Sequence, residues 1–224
     1  MPPAPTSSEL ALLAILAAVA VAIVVGHYAL GPARFAAAGP EHAVHRSRLA
    51  RGALYGLLPL SVAVAVGKAP LALGLALPRP GLAGAAILAM GTVMGLVVVL
   101  ASRGPRFRDH HPAIRDVAWT TDVVRRNLVS WSVYLLGYEL LFRGVLLFSL
   151  VDVIGVWPAI GVQTLAYAWQ HLPKNGDETA ATLPVGALFG VVAVAGAGIW
   201  APLVLHIVVA NLADLLAGRS RARA

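Results

Sequence analysis

The sequence predicts an all-α fold, a polytopic transmembrane bundle of about seven spans with the N-terminus outside and the C-terminus inside. Three observations carry that reading: an apolar composition, a series of apolar runs of membrane-crossing length, and a one-sided distribution of basic residues. Of the 224 residues 59% are hydrophobic and 12% charged, and the mean hydropathy is +0.80, well above a soluble domain. The net charge of +7 would suit nucleic acid if it lined one soluble face. It is spread instead over short loops between apolar runs, so no nucleic-acid partner is expected and the lipid bilayer is. The chain has no cysteine, which excludes disulfides, thiolate metal sites and a cysteine nucleophile.

Crossing about 30 Å of hydrocarbon takes roughly 20 apolar residues in a helix. Runs near that length fall at 9–30, 52–72, 81–102, 127–151, 156–172, 180–197 and 199–217. The first is read as a retained helix, because it lacks a basic n-region and an obvious small-residue cleavage site. The second contains Lys68 and Pro70, so its helix is expected to end near Gly67, leaving a short interfacial or re-entrant piece. Runs six and seven are separated only by the GAGIW turn and are expected to form a tight helical hairpin. Trp157 and Trp200 fall near outer ends and read as interface anchors.

Basic residues test the order of the runs, since cytoplasmic loops carry the excess. Arg34, Arg46, Arg48 and Arg51 follow the first run. Arg103, Arg106, Arg108, Arg115, Arg125 and Arg126 follow the third, Lys174 the fifth, and Arg219, Arg221 and Arg223 close the tail. The alternate loops hold only Lys68 and Arg79. One membrane domain, 1–224, is therefore expected: spans one to three in 1–102, a cytoplasmic polar loop over 103–126, and a four-span core over 127–217.

Ionisable groups at membrane depth are costly, so they pair, face the bundle interior and mark function. Glu139 and Arg143 stand four residues apart in the fourth run, on one helix face and within ion-pairing reach. His171 ends the fifth run and His206 lies inside the seventh. A glutamate and two histidines on three helices permit two chemistries: a carboxylate and imidazole activating water, with an imidazole or amide donating to an oxyanion, or a two-histidine, one-carboxylate metal site built from His171, His206 and Glu139. The remaining histidines, His27, His42, His45, His110 and His111, lie at span ends or in polar loops and read as interfacial.

These residues resemble the motifs of the CPBP intramembrane proteases, a family that includes the type II CAAX prenyl endopeptidases and bacterial Abi proteins. YELLFRG (138–144) is similar to the family's Glu-Glu-x-x-x-Arg-Gly, YAWQH (167–171) to Phe-x-x-x-His, and GIWAPLVLH (198–206) to the run into His-x-x-x-Asn/Asp. The resemblance covers roughly 125–217. It implies a glutamic-type mechanism in which a glutamate and the first histidine activate water while the second histidine and the Asn hold the oxyanion. Glu139 then takes the second position of the glutamate pair, Arg143 the arginine, His171 the first histidine and His206 the second. No cofactor is expected, a divalent metal staying open as the alternative. The expected substrate is a membrane-anchored or membrane-proximal peptide or protein, and the expected location the bacterial plasma membrane.

Two positions depart from the pattern. Tyr138 stands where the family has its base, and a phenol, with an ordinary pKa of about 10, is a poor base at neutral pH. Four residues after His206 comes Ala210; Asn211 is displaced by roughly 140° from the His206 face, and Asp214 by only roughly 80°, which makes Asp214 the expected partner of His206. A substitute carboxylate is available in Glu178, beyond a Pro-Lys-Asn-Gly turn, with Lys174 beside it as a supporting or topology charge; a Tyr-Glu first motif with a later Lys and Glu resembles a variant within the family. Depth raises a further expectation. Twelve residues from Asn127 place Glu139 about 18 Å along its span, whereas His171 belongs near the cytoplasmic face, so the groups meet only across a cavity. Three functions follow: a peptidase, an inactive scaffold of the same shape that binds a membrane peptide, and a transporter, for which neither an inverted repeat nor paired broken helices is evident.

Overall fold

The computed structural model describes residues 5–105, 107, 111–115, 117–171 and 176–221. Among them the chain is helical, without a strand. Helix α1, Ser7–Tyr28, opens on a capping box in which Thr6 accepts from the Glu9 amide and the Glu9 carboxylate accepts from the Thr6 amide, satisfying donors that the first turn leaves open. After a 3₁₀ turn at Pro32–Ala38, α2 runs over Pro40–Ala65. It begins at Pro40 rather than 52, because the basic residues before the apolar run do not break helical periodicity. Val44, Arg48, Gly52, Tyr55, Gly56, Pro59 and Ala63 form one buried stripe along it. The expected break follows: Val66 caps the helix, Gly67 adopts φ +91°, and Pro70–Leu73 is a short 3₁₀ piece.

Helix α3 spans Pro80–Ala101, and α4 spans Thr121–Ile154 with a π-helical segment at Leu140–Leu146. Thr120 caps α4 by accepting from the Val123 amide, so residues 121–126 are helix rather than loop. Gly155, at φ +81°, turns the chain into α5, Val156–Trp169. Helix α6 spans Gly176–Val192, and a π turn at Ala193–Ala197 leads to α7, Trp200–Arg221. Each of the seven apolar runs contains a helix. Four helical stretches are long and apolar enough to cross a membrane: α1, α3, α4 and Trp200–Gly218 of α7. The other three fall short of that measure because α2 begins in charged sequence, α5 has only 14 residues and α6 is a shorter apolar helix.

Helices α2 and α4 make the most extensive helix pair. A Cβ on Gly52 would stand 2.5 Å from the Val133 carbonyl oxygen, and one on Gly137 would overlap the Gly52 backbone. The glycines thus permit backbone-to-backbone packing, as small residues do where apolar solvent provides no hydrophobic drive between helices.

The expected hairpin of α6 and α7 is not formed. Helix α6 packs chiefly on α5, whereas α7 packs on α3 and α4, and the two touch little. Positive φ at Gly196 (+114°) and Gly198 (+54°) redirects the chain, a conformation that glycine adopts readily and other residues do not. The turn is held from outside the pair: the Ile199 amide donates to the Gly74 carbonyl at 3.1 Å, the Arg79 amide to that of Gly196 at 3.1 Å, and the Trp200 indole to that of Ala76 at 2.9 Å. The separation of α6 from α7 leaves the cavity described next.

Candidate active site

The site is assembled on the π segment and its neighbours. Glu139 is the last residue before the π segment, and its carboxylate is fully buried. Oε1 lies 2.8 Å from His206 Nδ1 and accepts from Arg143 Nη1 at 3.3 Å. A carboxylate only accepts, so Nδ1 of His206 carries the hydrogen and Nε2 is the other functional nitrogen. The Arg143 guanidinium also lies 4.1 Å from the centre of the Tyr167 ring, a geometry in which an aromatic face attracts a cation.

His171 follows α5 and is buried. Its Nδ1 lies 3.1 Å from the Tyr167 carbonyl oxygen, which can only accept; Nδ1–H therefore donates, which fixes the orientation of the ring. Tyr138 stands between the histidines, its ring centre 6.4 Å from that of His171 and 5.8 Å from that of His206. The depth expectation resolves here. Helix α5 reaches only about 21 Å at 1.5 Å per residue, so it delivers His171 to the level of Tyr138.

A cavity of about 740 Å³ meets this group, lined by His171, His206, Tyr167 and Phe189 at one end and by Trp131, Phe107 and His111 among others. The two histidines face it together. Glu139, Arg143 and Tyr138 are not in its wall, so the carboxylate acts on the cavity through His206. Among the described residues no three carboxylate or imidazole groups come close enough together to hold a metal ion; Glu139 pairs with His206, and the trio with His171 is not formed.

Asp214 is not the partner of His206. An angular difference of roughly 80° ignored a separation of eight residues, about 12 Å of axial rise. Asp214 instead accepts from Arg48 Nη2 at 3.2 Å and from the Trp131 indole at 2.8 Å, with His111 Nδ1 at 3.5 Å. Asn211 belongs to the same layer, its Oδ1 accepting from Asn127 Nδ2 at 3.1 Å. Arg48 also donates to Asn127 at 2.7 Å, and His45 Nδ1 meets the Ser130 hydroxyl at 2.8 Å. Arg48 and His45 are buried, so neither is the topology charge or interfacial histidine that the sequence predicts. A signal existed: Arg48 falls four residues after Val44 and four before Gly52, in register with the buried stripe of α2. Lys174 and His110 lie outside the described residues, and Glu178 lies within α6 with its side chain outside them.

The helical architecture and its apolar spans, with a Glu-Arg-His cluster buried among them, define a polytopic integral membrane protein with a polar site inside its bundle. Residues 124–212, the stretch that holds Glu139, Arg143, His171 and His206, match the family described as type II CAAX prenyl endopeptidase Rce1-like. No match is found among curated proteins or among solved structures.

Proposed function

We propose that the protein is an intramembrane endopeptidase of glutamic type that hydrolyses a membrane-anchored or membrane-proximal peptide. The observation that carries this reading is the chain Arg143, Glu139, His206 ending at a cavity that His171 also lines. His171, its ring oriented by the Nδ1–H bond to the Tyr167 carbonyl, is the general base of this scheme: it takes a proton from water as the water attacks the scissile carbonyl, and returns that proton to the departing amine. Glu139 is the counter-charge for His206 in its imidazolium form, whose Nε2–H donates to the developing oxyanion. Arg143 orients the carboxylate. Glu178 is a reserve carboxylate in this scheme, with Lys174 near it in sequence. Asn211 and Asp214, bonded in the other layer, support the fold of α7 instead of the oxyanion.

The membrane is proposed to be the bacterial plasma membrane, with the N-terminus outside, on the distribution of basic loops. The experiment is cleavage of a membrane-anchored peptide library by the protein in proteoliposomes, comparing wild type with His171→Ala and Glu139→Gln. Both variants are expected to lose cleavage by at least about a hundredfold; undiminished cleavage by both refutes the mechanism, and loss on chelation points to a metal. One observation favours a second reading, a peptide-binding scaffold: Tyr138 occupies the position of the family's base. Retained peptide binding with no cleavage of any library member is its signature.

A further inference from the structure

The end of the cavity remote from His171 and His206 carries Trp131 and His111, both held by Asp214. Trp131 lines it and is held on two sides: its indole N–H donates to Asp214 at 2.8 Å, and the Arg48 guanidinium lies 3.9 Å from its ring centre. Arg48 and Asp214 are themselves buried and paired at 3.2 Å. With the N–H and one ring face occupied, Trp131 has only aromatic carbon left to offer a ligand. Among the described residues the cavity wall contains no Lys, Arg, Asp or Glu and includes Val97, Ala101 and Ala213; its titratable member at this end, His111, has Nδ1 3.5 Å from the same Asp214 that Trp131 bonds. A cationic ligand group would lose hydration there without a carboxylate in the wall to replace it, and an anionic one would compete with Asp214 for His111.

We propose that Trp131 is a specificity-determining binding residue, taking an apolar or aromatic side chain of the peptide substrate, with Arg48 and Asp214 as positioning residues that fix its plane. The eight residues from His206 to Asp214 span about 12 Å of helix. An extended peptide covers that in three to four residues at about 3.3–3.6 Å each, so the side chain selected lies about that far from the bond attacked. The words substrate and bond rest on the peptidase reading; binding at Trp131 does not.

The test therefore reads binding and cleavage separately. The protein in lipid nanodiscs, labelled with 5-fluorotryptophan, is followed by ¹⁹F NMR, the Trp131 signal being assigned by its loss in Trp131→Phe. Acetyl-Gly-Gly-X-amide probes with X as Phe, Leu, Lys or Asp are titrated in. Phe and Leu probes are expected to shift the Trp131 signal saturably, at least about tenfold more tightly than Lys or Asp probes. The exposed Trp157 and Trp169 report simple partition into lipid. Arg48→Lys keeps the charge opposite Asp214 but loses the planar stack, and is expected to broaden the Trp131 signal and erode the preference. No saturable shift at Trp131, or equal affinity for charged probes, overturns the proposal.

The second arm measures cleavage of membrane-anchored peptides varied at the third and fourth residues on either side of the cut. Trp131→Ala is expected to raise KM for apolar residues there by roughly tenfold, far more than it lowers kcat. Selective binding at Trp131 without cleavage leaves the subsite standing and ends the peptidase reading; cleavage with no selectivity at these positions and no shift at Trp131 does the reverse.

Discussion

Tyr138 and Glu139 are neighbours with opposite fates. The Glu139 carboxylate is tied to His206 and Arg143, whereas the Tyr138 hydroxyl is buried with no hydrogen-bond partner among the described residues. Its ring packs against Tyr55, Tyr134, Phe142 and Tyr167. Tyr138→Phe is therefore expected to leave the thermal midpoint in detergent unchanged or raised, since it removes an unsatisfied polar group and keeps the packing. Tyr138→Glu, which creates the glutamate pair of the family that this stretch resembles, is expected to lower it by a margin equivalent to several kcal/mol, because a carboxylate would enter an aromatic cluster beside another carboxylate. Glu139→Gln is a different perturbation. It leaves the fully buried Arg143 without its counter-charge, a loss of about 3–5 kcal/mol, so its activity must be judged against folded protein measured by size-exclusion chromatography.

At the scale of elements, the crossing of α2 on α4 sets the geometry of both polar layers. Gly137 precedes Tyr138 and Glu139 directly, and Gly52 follows Arg48 by one turn. Any side chain at Gly137 meets the Gly52 backbone, which cannot yield as a flexible side chain would. Gly137→Ala is expected to destabilise by about 1–3 kcal/mol and to reduce activity by displacing Glu139 from His206; a midpoint and a cleavage rate both equal to wild type would contradict this account of the crossing. The same scale explains the missed hairpin. Counting residues between α6 and α7 gives a short connection, but the positive φ at Gly196 and Gly198 sends α7 to α3 and α4, and the room left between them becomes cavity.

For the whole molecule, the Arg48–Asp214 layer joins α2, α4 and α7, whose first member lies outside the matched stretch 124–212. The charged first turns of α2, before its apolar run, also carry His45. Burial first, then the charge of Arg48, holds its pKa below the ordinary 6.5. The folded value is depressed, so the stability that neutral His45 contributes is present above the ordinary pKa and is lost as pH falls through the lower, folded one. The thermal midpoint in detergent is expected to fall between about pH 7.5 and pH 5, and His45→Gln to flatten that slope; an unchanged slope removes His45 from the explanation.

Much of this protein was determined by its sequence alone, because apolar run length, helical period and basic loops are local properties that the bilayer reads directly. They identify the helices, and the spacing of Glu139, Arg143, His171 and His206 carries the resemblance to a family whose model matches residues 124–212. What only the tertiary structure decided was partnership. A helix wheel ranks residues by angle, yet which side chains meet depends on axial rise, on where short helices stop and on how closely two backbones can approach. Those distances gave His206 to Glu139 and Asp214 to Arg48, and turned Trp131 toward the cavity.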